Sequence, residues 1–188
     1  AIAIKLDSKG PVLFKQERVG KDKKLFQIYK FRSMCVGAEQ QGTGQYSFAG
    51  DPRVTRVGKI IRATSLDELP QIWDIFVGNM SVIGPRPALW NQDLLTAERD
   101  RYGANDVKPG LTGWAQINGR DELELEEKAR LDGEYACHLR EGGLKAFLFD
   151  CKCFIDTVFS VARSEGVVEG GTGTIHNSLR PGVPVEDP

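Results

Sequence analysis

Apolar residues near the start of the chain are grouped in two short segments separated by a polar one. Pro11–Val19 and Lys24–Phe31 are rich in Val, Phe, Ile and Tyr, and the intervening residues 20–23 are Gly and charged residues. This arrangement predicts a β-hairpin. Residues 35–51 are rich in Gly, Gln and Ser and predict a loop.

Beyond this loop the apolar positions change to helical spacing. Val54–Arg62 has apolar residues at helical intervals, interrupted by Gly58, and predicts a helix. Gly and Pro residues then divide the chain into further segments. We expect a short strand over Ser81–Ile83, a helix over Ala88–Tyr102, irregular structure over Val107–Arg120 and an acidic helix over Asp121–Glu141.

The segment from Ser65 to Gly78 predicts a helix with two acidic residues at its start. Ser65 with Glu68 fits a capping box, whereas Asp67 as the N-cap would place Pro70 in the first turn, where it costs no hydrogen bond. Either choice puts both acids at the helix start. A buried apolar stripe is expected at Leu69, Ile72, Trp73 and Phe76, with Gly78 ending the helix.

The last long segment, Leu144–Ala162, is strongly amphipathic. One broad face carries leucine, phenylalanine, isoleucine and valine. Such a face ordinarily packs against a protein core, which is the interpretation we favour. The alternative is a helix lying in a membrane interface.

Length and composition predict a single domain. With 188 residues, 40% of them hydrophobic, the chain can bury one core, which we assign to residues 1–165, followed by a Gly/Pro-rich tail over 166–188. A net charge of −1 argues against non-specific nucleic-acid binding. Residues 1–32 nevertheless hold nine Lys or Arg and three acids, typical of a solvated hairpin face or of a surface facing anionic lipid or phosphate. The four cysteines predict no disulfide framework.

Asp67 and Glu68 are the leading candidates for chemistry. Acids near a helix start often serve only to compensate the helix dipole, and spacing alone gives that interpretation equal weight. The alternative is phosphate chemistry, because a carboxylate there can attack phosphorus or hold Mg²⁺ together with substrate phosphates.

Phosphoryl transfer also needs cations against the non-bridging phosphate oxygens. Arg86 is the best candidate because the prolines on both sides restrict its backbone. Arg62, Lys30 and Arg120 are further candidates, whereas Asp132 is expected on the solvated face of the acidic helix. No Gly-x-x-x-x-Gly-Lys-Ser/Thr or Gly-x-Gly-x-x-Gly motif is present, so a P-loop or Rossmann nucleotide site is not expected.

Five colinear motifs resemble the catalytic domain of the bacterial sugar transferase family, the monotopic phosphoglycosyl transferases. The resemblance covers roughly residues 10–170. The motifs are Gly10–Gly20, Tyr29–Met34, Thr64–Gln71, Met80–Pro87 and Val107–Arg120.

The resemblance implies transfer of a sugar-1-phosphate from a UDP-sugar to a polyprenyl phosphate, with release of UMP. Asp67 would be the nucleophile that forms a covalent aspartyl phosphosugar, Glu68 would complete the dyad, and Mg²⁺ would bind at the dyad and the diphosphate. The family match alone implies a role for Asp132. The positions it implies around the substrate are Lys30, Arg62, Arg86, Arg120 and Asp132.

The resemblance also implies a location at the cytoplasmic face of the bacterial inner membrane. Family members begin with a hydrophobic re-entrant helix, of which Ala1–Ile4 would be the remainder here, and a chain without it can be soluble. The basic hairpin and the Leu144–Ala162 helix could still contact a membrane surface, or two chains could pack their apolar faces together as a homo-oligomer.

The combined expectation is an α/β domain in which a small hairpin or sheet is surrounded by several helices, including amphipathic membrane-interface helices. Two rival functions stay open. A catalytically weak membrane-surface scaffold would release no UMP, and a soluble metal-dependent phosphohydrolase would turn over without a lipid acceptor.

Overall fold

Two small sheets surrounded by helices form the structure, a computed structural model that describes residues 1–42, 44, 47–48, 50–119 and 123–163. The mixed α/β class with a small hairpin and several helices is confirmed. Residues 166–188, expected to be a tail, lie outside the described residues. The elements are α1 (Ile2–Asp7), β1 (Leu13–Val19), β2 (Leu25–Phe31), α2 (Arg56–Ala63), α3 (Ile72–Phe76), β3 (Ser81–Ile83), α4 (Asp93–Tyr102), β4 (Gly110–Thr112), α5 (Trp114–Ile117), α6 (Leu125–Glu141) and α7 (Gly143–Arg163).

The predicted hairpin is confirmed. Strands β1 and β2 pair antiparallel, from Leu13 opposite Phe31 to Val19 opposite Leu25. A single 3₁₀ turn, Lys21–Lys23, connects them. The helix predicted after the loop is confirmed as α2, whose N-cap Thr55 accepts a hydrogen bond from the Gly58 N–H at 3.0 Å.

The second sheet is a two-stranded parallel pair built around glycines. The predicted strand over residues 81–83 is confirmed as β3, and it pairs with β4, which lies inside the segment expected to be irregular. A Cβ atom on Gly110 or Gly113 would collide with the main chain of Gly84. Three glycines therefore allow the backbones to cross closely where the turn at residues 84–87 begins.

Helix α6 lies at the centre of the packing. It packs against α4, α5 and α7, and its buried face contains Ala129, Leu131 and Ala136. Tyr135 forms a core cluster with Ile83 of β3 and Cys153 of α7. All four cysteines are free, as expected.

The segment from Ser65 to Gly78 differs from both predicted caps. Ser65 adopts φ 54° and its side chain makes no capping hydrogen bond, so the capping box is wrong. Asp67 is not the N-cap either, because the acids lie in the first turn of a 3₁₀ helix, Leu66–Gln71, that continues into α3. The Glu68 carboxylate is directed away from the helix start towards Lys30 and Arg86.

The apolar stripe predicted on this segment is also wrong. Its members are between 45% and 80% exposed, and the buried residue of α3 is Asp74. The stripe consists of Leu69, Ile72, Trp73 and Phe76.

Two helix starts were predicted too early. The helix expected from Ala88 begins at Asp93, because Leu89 forms a β-bridge with Arg18 and its N–H donates to Gln92 Oε1 at 2.8 Å. The acidic helix begins at Leu125, and residues 121 and 122 lie outside the described part of the chain.

The broad apolar face of α7 does not pack against the core, so the favoured interpretation is wrong. Seven large apolar side chains on this helix are between 52% and 71% exposed. In the described residues, no helix is long and apolar enough to cross a bilayer. The exposed set is Leu144, Phe147, Leu148, Phe154, Ile155, Val158 and Phe159.

Candidate active site

The two adjacent acids lie where the 3₁₀ helix packs against β2. Asp67 and Glu68 occupy its first turn, directly after the left-handed residue Ser65. Strand β2 contacts this helix and brings Lys30 to Glu68. The sharp turn at Ser65 thus presents two neighbouring carboxylates with different surroundings.

Glu68 lies between two cations. Its Oε1 atom accepts a hydrogen bond from Lys30 Nζ at 2.8 Å and another from Arg86 Nη2 at 2.6 Å. Burial opposes ionisation, but the charges and hydrogen bonds of Arg86 and Lys30 hold the pKa of Glu68 well below its usual range. Glu68 is therefore a fixed anion that organises the cations around it.

Lys30 is held in this cluster at an electrostatic cost. Its side chain is 16% exposed. Burial lowers the pKa of Lys30, while the Glu68 carboxylate acts in the opposite direction. The ammonium is thus less well solvated than a surface lysine, and an additional anion would stabilise it.

Asp67 has a different environment from its neighbour. No hydrogen bond or ion pair to another described residue engages its carboxylate, which is only partly exposed. Burial raises the pKa of Asp67, with Lys30 opposing this effect and Glu68 adding to it. A carboxylate that is partly shielded from water, and that no described residue binds, has lone pairs available to attack an electrophile.

Arg86 is held at its main chain as well as at its side chain. The flanking prolines Pro85 and Pro87 are buried. Arg99 Nη2 donates to the Arg86 main-chain oxygen at 2.9 Å, and Arg18 Nη1 donates to the Pro87 oxygen at 3.0 Å. The guanidinium is therefore placed against Glu68 by a turn that two hydrogen bonds and two buried prolines restrain.

Asp132 is not on a solvated face, so that expectation is wrong. It is 1% exposed and accepts hydrogen bonds from Arg99 Nε at 2.8 Å and Arg99 Nη2 at 2.6 Å. Burial raises the pKa of Asp132, and the Arg99 charge opposes the shift. Asp132 therefore acts on the turn at Arg86 through Arg99.

Two other cations were expected at the site, and Arg62 forms no ion pair with Asp67 or Glu68 in the described part of the chain. Arg62 donates from Nη2 to Ser47 Oγ at 3.1 Å, and its charge favours the ionised form of Asp67. Arg120 lies outside the described residues. The structure thus brings together Asp67, Glu68, Lys30 and Arg86, with Arg62 nearby and Asp132 behind the turn.

Two arginines of the site had no role in the sequence interpretation. Arg18 belongs to the Gly10–Gly20 motif, where it looked like one basic residue of a hairpin face. Arg99 lies on α4 with nothing around it in sequence that indicates burial, yet it is 4% exposed. The motif position was the available signal for Arg18, whereas Arg99 could be found only from its long-range pairing.

The donor set fits Mg²⁺ only if substrate supplies further ligands. In the described residues, no group of three or more His, Cys, Asp or Glu side chains could hold a metal. Asp67 has an unengaged carboxylate, and Glu68 retains Oε2, whose contact with Arg86 Nη1 is long, at 3.4 Å. Two carboxylate oxygens completed by phosphate oxygens and water suit this ion.

The sequence model of the family described as "Bacterial sugar transferase" matches residues 1–164. The chain belongs to this family. The fold and the acid–cation cluster described above are therefore those of a bacterial sugar transferase domain.

Several curated relatives are similar to this chain. An Aeromonas hydrophila UDP-N-acetylgalactosamine-undecaprenyl-phosphate N-acetylgalactosaminephosphotransferase is 50% identical over 122 residues, which are 62% of this chain and 28% of that protein. The Escherichia coli (strain K12) UDP-glucose:undecaprenyl-phosphate glucose-1-phosphate transferase is 43% identical over 85% of this chain and 34% of its own length. The chain thus spans about a third of the length of these two relatives.

A shorter relative matches along most of both chains. The uncharacterized sugar transferase EpsL of Bacillus subtilis (strain 168) is 38% identical over 87% of this chain and 76% of its own length. The similarity therefore also covers most of the length of a relative that is not much longer than this chain.

Proposed function

We propose that this chain transfers a sugar-1-phosphate from a UDP-sugar to a polyprenyl phosphate such as undecaprenyl phosphate, releasing UMP. The observation that carries the proposal is the adjacency of Asp67 and Glu68. No described residue engages the Asp67 carboxylate by hydrogen bond or ion pair, and Glu68 holds Lys30 and Arg86 beside it. A free nucleophile next to fixed cations is what phosphoryl transfer requires. The names of the relatives support the substrate class.

In the first step, an Asp67 carboxylate oxygen attacks the sugar-bearing phosphorus of the donor. The bond from that phosphorus to the bridging oxygen breaks, and UMP leaves with the bridging oxygen and its electron pair. Arg86 and Lys30 stabilise the negative charge on the non-bridging oxygens. The product is an aspartyl phosphosugar on Asp67.

In the second step, an oxygen of the polyprenyl phosphate attacks the same phosphorus. The bond to Asp67 breaks and the free carboxylate is restored. Glu68 stays ionised throughout and keeps the two cations in place. Bound Mg²⁺, held by Asp67 and Glu68 with the diphosphate, would supply further charge neutralisation.

The acceptor implies contact with a membrane surface. The exposed apolar face of α7 and the exposed Ile72, Trp73 and Phe76 of α3 support this part of the proposal. The α3 group follows the acids directly in sequence, and Trp73 and Phe76 lie against each other with ring centroids 5.6 Å apart. Aromatic and aliphatic side chains of amphipathic helices insert at the headgroup boundary.

The deciding experiment measures UMP release from a panel of UDP-sugars with Mg²⁺, with and without undecaprenyl phosphate in detergent. The wild type should release UMP with a particular sugar, with sustained turnover only when the lipid is present. Without lipid, intact mass spectrometry should show the chain carrying one added phosphosugar. Sustained lipid-independent UMP release would instead favour a phosphohydrolase.

Asp67→Asn is the variant that tests the nucleophile. It should fold normally, release no UMP and acquire no phosphosugar. Asp22→Asn is the matched control, because Asp22 is exposed in the hairpin turn and asparagine tolerates its positive φ of 54°. Turnover by a well-folded Asp67→Asn protein at the wild-type rate would refute the assignment.

A further inference from the structure

Arg18 lies at the point where the hairpin meets the turn that carries Arg86. It forms an isolated antiparallel bridge with Leu89, and the neighbouring Val19 N–H donates to the Ala88 oxygen at 2.9 Å. Its own Nη1 donates to the Pro87 oxygen at 3.0 Å. The guanidinium is thus fixed against the turn, one residue away from Arg86.

The Arg18 guanidinium keeps unused donors. Its Nε and Nη2 atoms donate to Gln16 Oε1 at 3.0 and 2.6 Å, and the Gln16 side chain is itself oriented by donating to Glu39 Oε1 at 2.8 Å. A guanidinium has five N–H groups, and the contacts to Gln16 and Pro87 use three of them. One N–H on each terminal nitrogen has no acceptor among the described residues.

Both acceptors of Arg18 are neutral. Among the described residues, no carboxylate lies at ion-pair distance from it, whereas Arg86 and Lys30 pair with Glu68 and Arg99 pairs with Asp132. Burial lowers the pKa of Arg18 to about 10, and the Arg86 charge adds to this effect, whereas the charges of Glu68 and Glu39 oppose it. Arg18 is therefore a partly buried cation that, among the described residues, no carboxylate contacts directly.

Arg18 lies close to the cations and acids of the site. It feels the charges of Arg86, Glu68 and Glu39, whereas Lys30 and Arg86 pair directly with Glu68. A partly buried cation that no carboxylate contacts is less well stabilised than a paired one, and an anionic ligand would stabilise it. Phosphate oxygens match the paired N–H groups of arginine particularly well.

We propose that Arg18 binds a non-bridging phosphate oxygen of a substrate through its two unused N–H groups, beside the oxygens that Arg86 contacts. This inference rests on the proposed function, since it assigns a further binding residue to the same site. The phosphate belongs either to the nucleoside diphosphate of the donor or to the lipid phosphate of the acceptor. The chemistry of recognition is the same in both cases.

The test measures binding by calorimetry in the absence of Mg²⁺, with UDP, inorganic pyrophosphate and farnesyl phosphate as separate probes. Arg18→Gln should weaken at least one of them about tenfold or more, because a hydrogen bond to a charged group is worth about 1.5–3 kcal/mol. Arg18→Lys keeps the positive charge but loses the planar set of N–H donors, and should give an intermediate loss of affinity. Arg101→Gln, an exposed arginine on α4, should leave all three affinities unchanged.

The probes separate the two sources of phosphate. Weaker binding of UDP and pyrophosphate alone assigns Arg18 to the donor, and weaker binding of farnesyl phosphate alone assigns it to the acceptor. Wild-type affinities for every probe in Arg18→Gln, or no binding of any probe by the wild type, would overturn the inference. Thermal unfolding verifies that the variants are folded. If Arg18→Gln does not fold, the affinities of Arg18→Lys decide whether Arg18 binds phosphate.

A double-mutant cycle separates direct contact from positioning. If Arg18 acts only by holding the turn at Pro87, Arg18→Gln should have no further effect in an Arg86→Gln background, and the inference fails. If Arg18 contacts phosphate itself, the loss should persist there. Since binding needs no turnover, a wild type that binds phosphate in an Arg18-dependent way but releases no UMP would refute the proposed function while leaving this inference standing.

Discussion

The carboxylate of Asp132 and the main-chain oxygen of Arg86 are bound by the same nitrogen atom. Arg99 Nη2 donates to Asp132 Oδ2 at 2.6 Å and to the Arg86 oxygen at 2.9 Å. Helix α6 is thereby connected to the turn that presents the Arg86 guanidinium to Glu68. A buried ion pair far from the dyad in sequence thus controls where one of its cations lies.

Asp132→Asn should lower both stability and turnover. Removing one charge of a buried pair leaves Arg99 uncompensated, and such a loss typically costs about 3–5 kcal/mol. Thermal unfolding and UMP release measure the two effects. Glu127→Gln on the exposed side of the same helix is the control and should change neither by a comparable amount.

The loss of turnover in Asp132→Asn should depend on Arg86. In an Arg86→Gln background the same substitution should lower stability but reduce kcat/KM little further, because its effect on turnover passes through that side chain. An equally large additional loss of kcat/KM would show that Asp132 acts on the substrate by another route.

Glu68→Gln should separate binding from turnover. Glu68 competes with incoming phosphate for Lys30 and Arg86, so removing its charge should tighten Mg²⁺-free binding of UDP. Turnover should fall, because the cations lose the anion that fixes their positions. Calorimetry and UMP release provide the two readouts. Weaker UDP binding by a folded Glu68→Gln protein would show that Glu68 does not compete with phosphate for Lys30 and Arg86.

Asp150→Asn should stabilise the protein at neutral pH. The Tyr135 hydroxyl has one proton and two acceptors, Ile83 O at 3.0 Å and Asp150 Oδ1 at 3.1 Å. Burial raises the pKa of Asp150, with the Tyr135 hydrogen bond opposing the shift. An asparagine can donate to the Tyr135 oxygen, so both hydrogen bonds form at a gain of about 1 kcal/mol or less.

The pH dependence of this gain has a defined sign. Because the folded protein holds the Asp150 proton more tightly than the unfolded chain, ionisation of Asp150 destabilises the fold as pH rises. The Tm of Asp150→Asn should exceed that of the wild type by no more than about 2–4 °C at pH 7, with the difference shrinking below about pH 4. A difference that grows on acidification would contradict this account.

Phe154→Glu should weaken membrane binding without unfolding the chain. Phe154 is 52% exposed on the apolar face of α7, so a carboxylate there disturbs little internal packing but opposes insertion into a lipid surface. Sedimentation with vesicles containing anionic lipid measures the effect. Leu94→Glu, on the exposed side of α4, introduces the same charge at another apolar position and should leave vesicle binding unchanged.

Features encoded by local pattern were predictable from the sequence. The hairpin follows from two segments rich in Val, Phe, Ile and Tyr around a short polar turn, and strand β3 follows from the Ser-Val-Ile segment that precedes Gly84. The association of Asp67, Glu68, Lys30 and Arg86 was anticipated from residue chemistry and family motifs, although their spacing in sequence did not specify which carboxylate would bind the cations.

Other features depended on contacts that local pattern does not encode. Ser65 takes a left-handed conformation, which displaced both predicted caps. Asp132 is buried because Arg99, 33 residues earlier, lies against it. The amphipathic pattern of α7 showed that one face is apolar, but the same pattern suits a protein core and a lipid surface equally.

The close crossing of Gly84 with Gly110 and Gly113 restricts how this domain can diversify. A methyl group on either of the latter two would strike the main chain of Gly84, so the backbone path leading to Arg86 cannot be altered one side chain at a time. Any side chain at Gly110 or Gly113 would require the Gly84 main chain to move, and with it the turn that carries Arg86. These two positions can therefore change only together with the backbone around them.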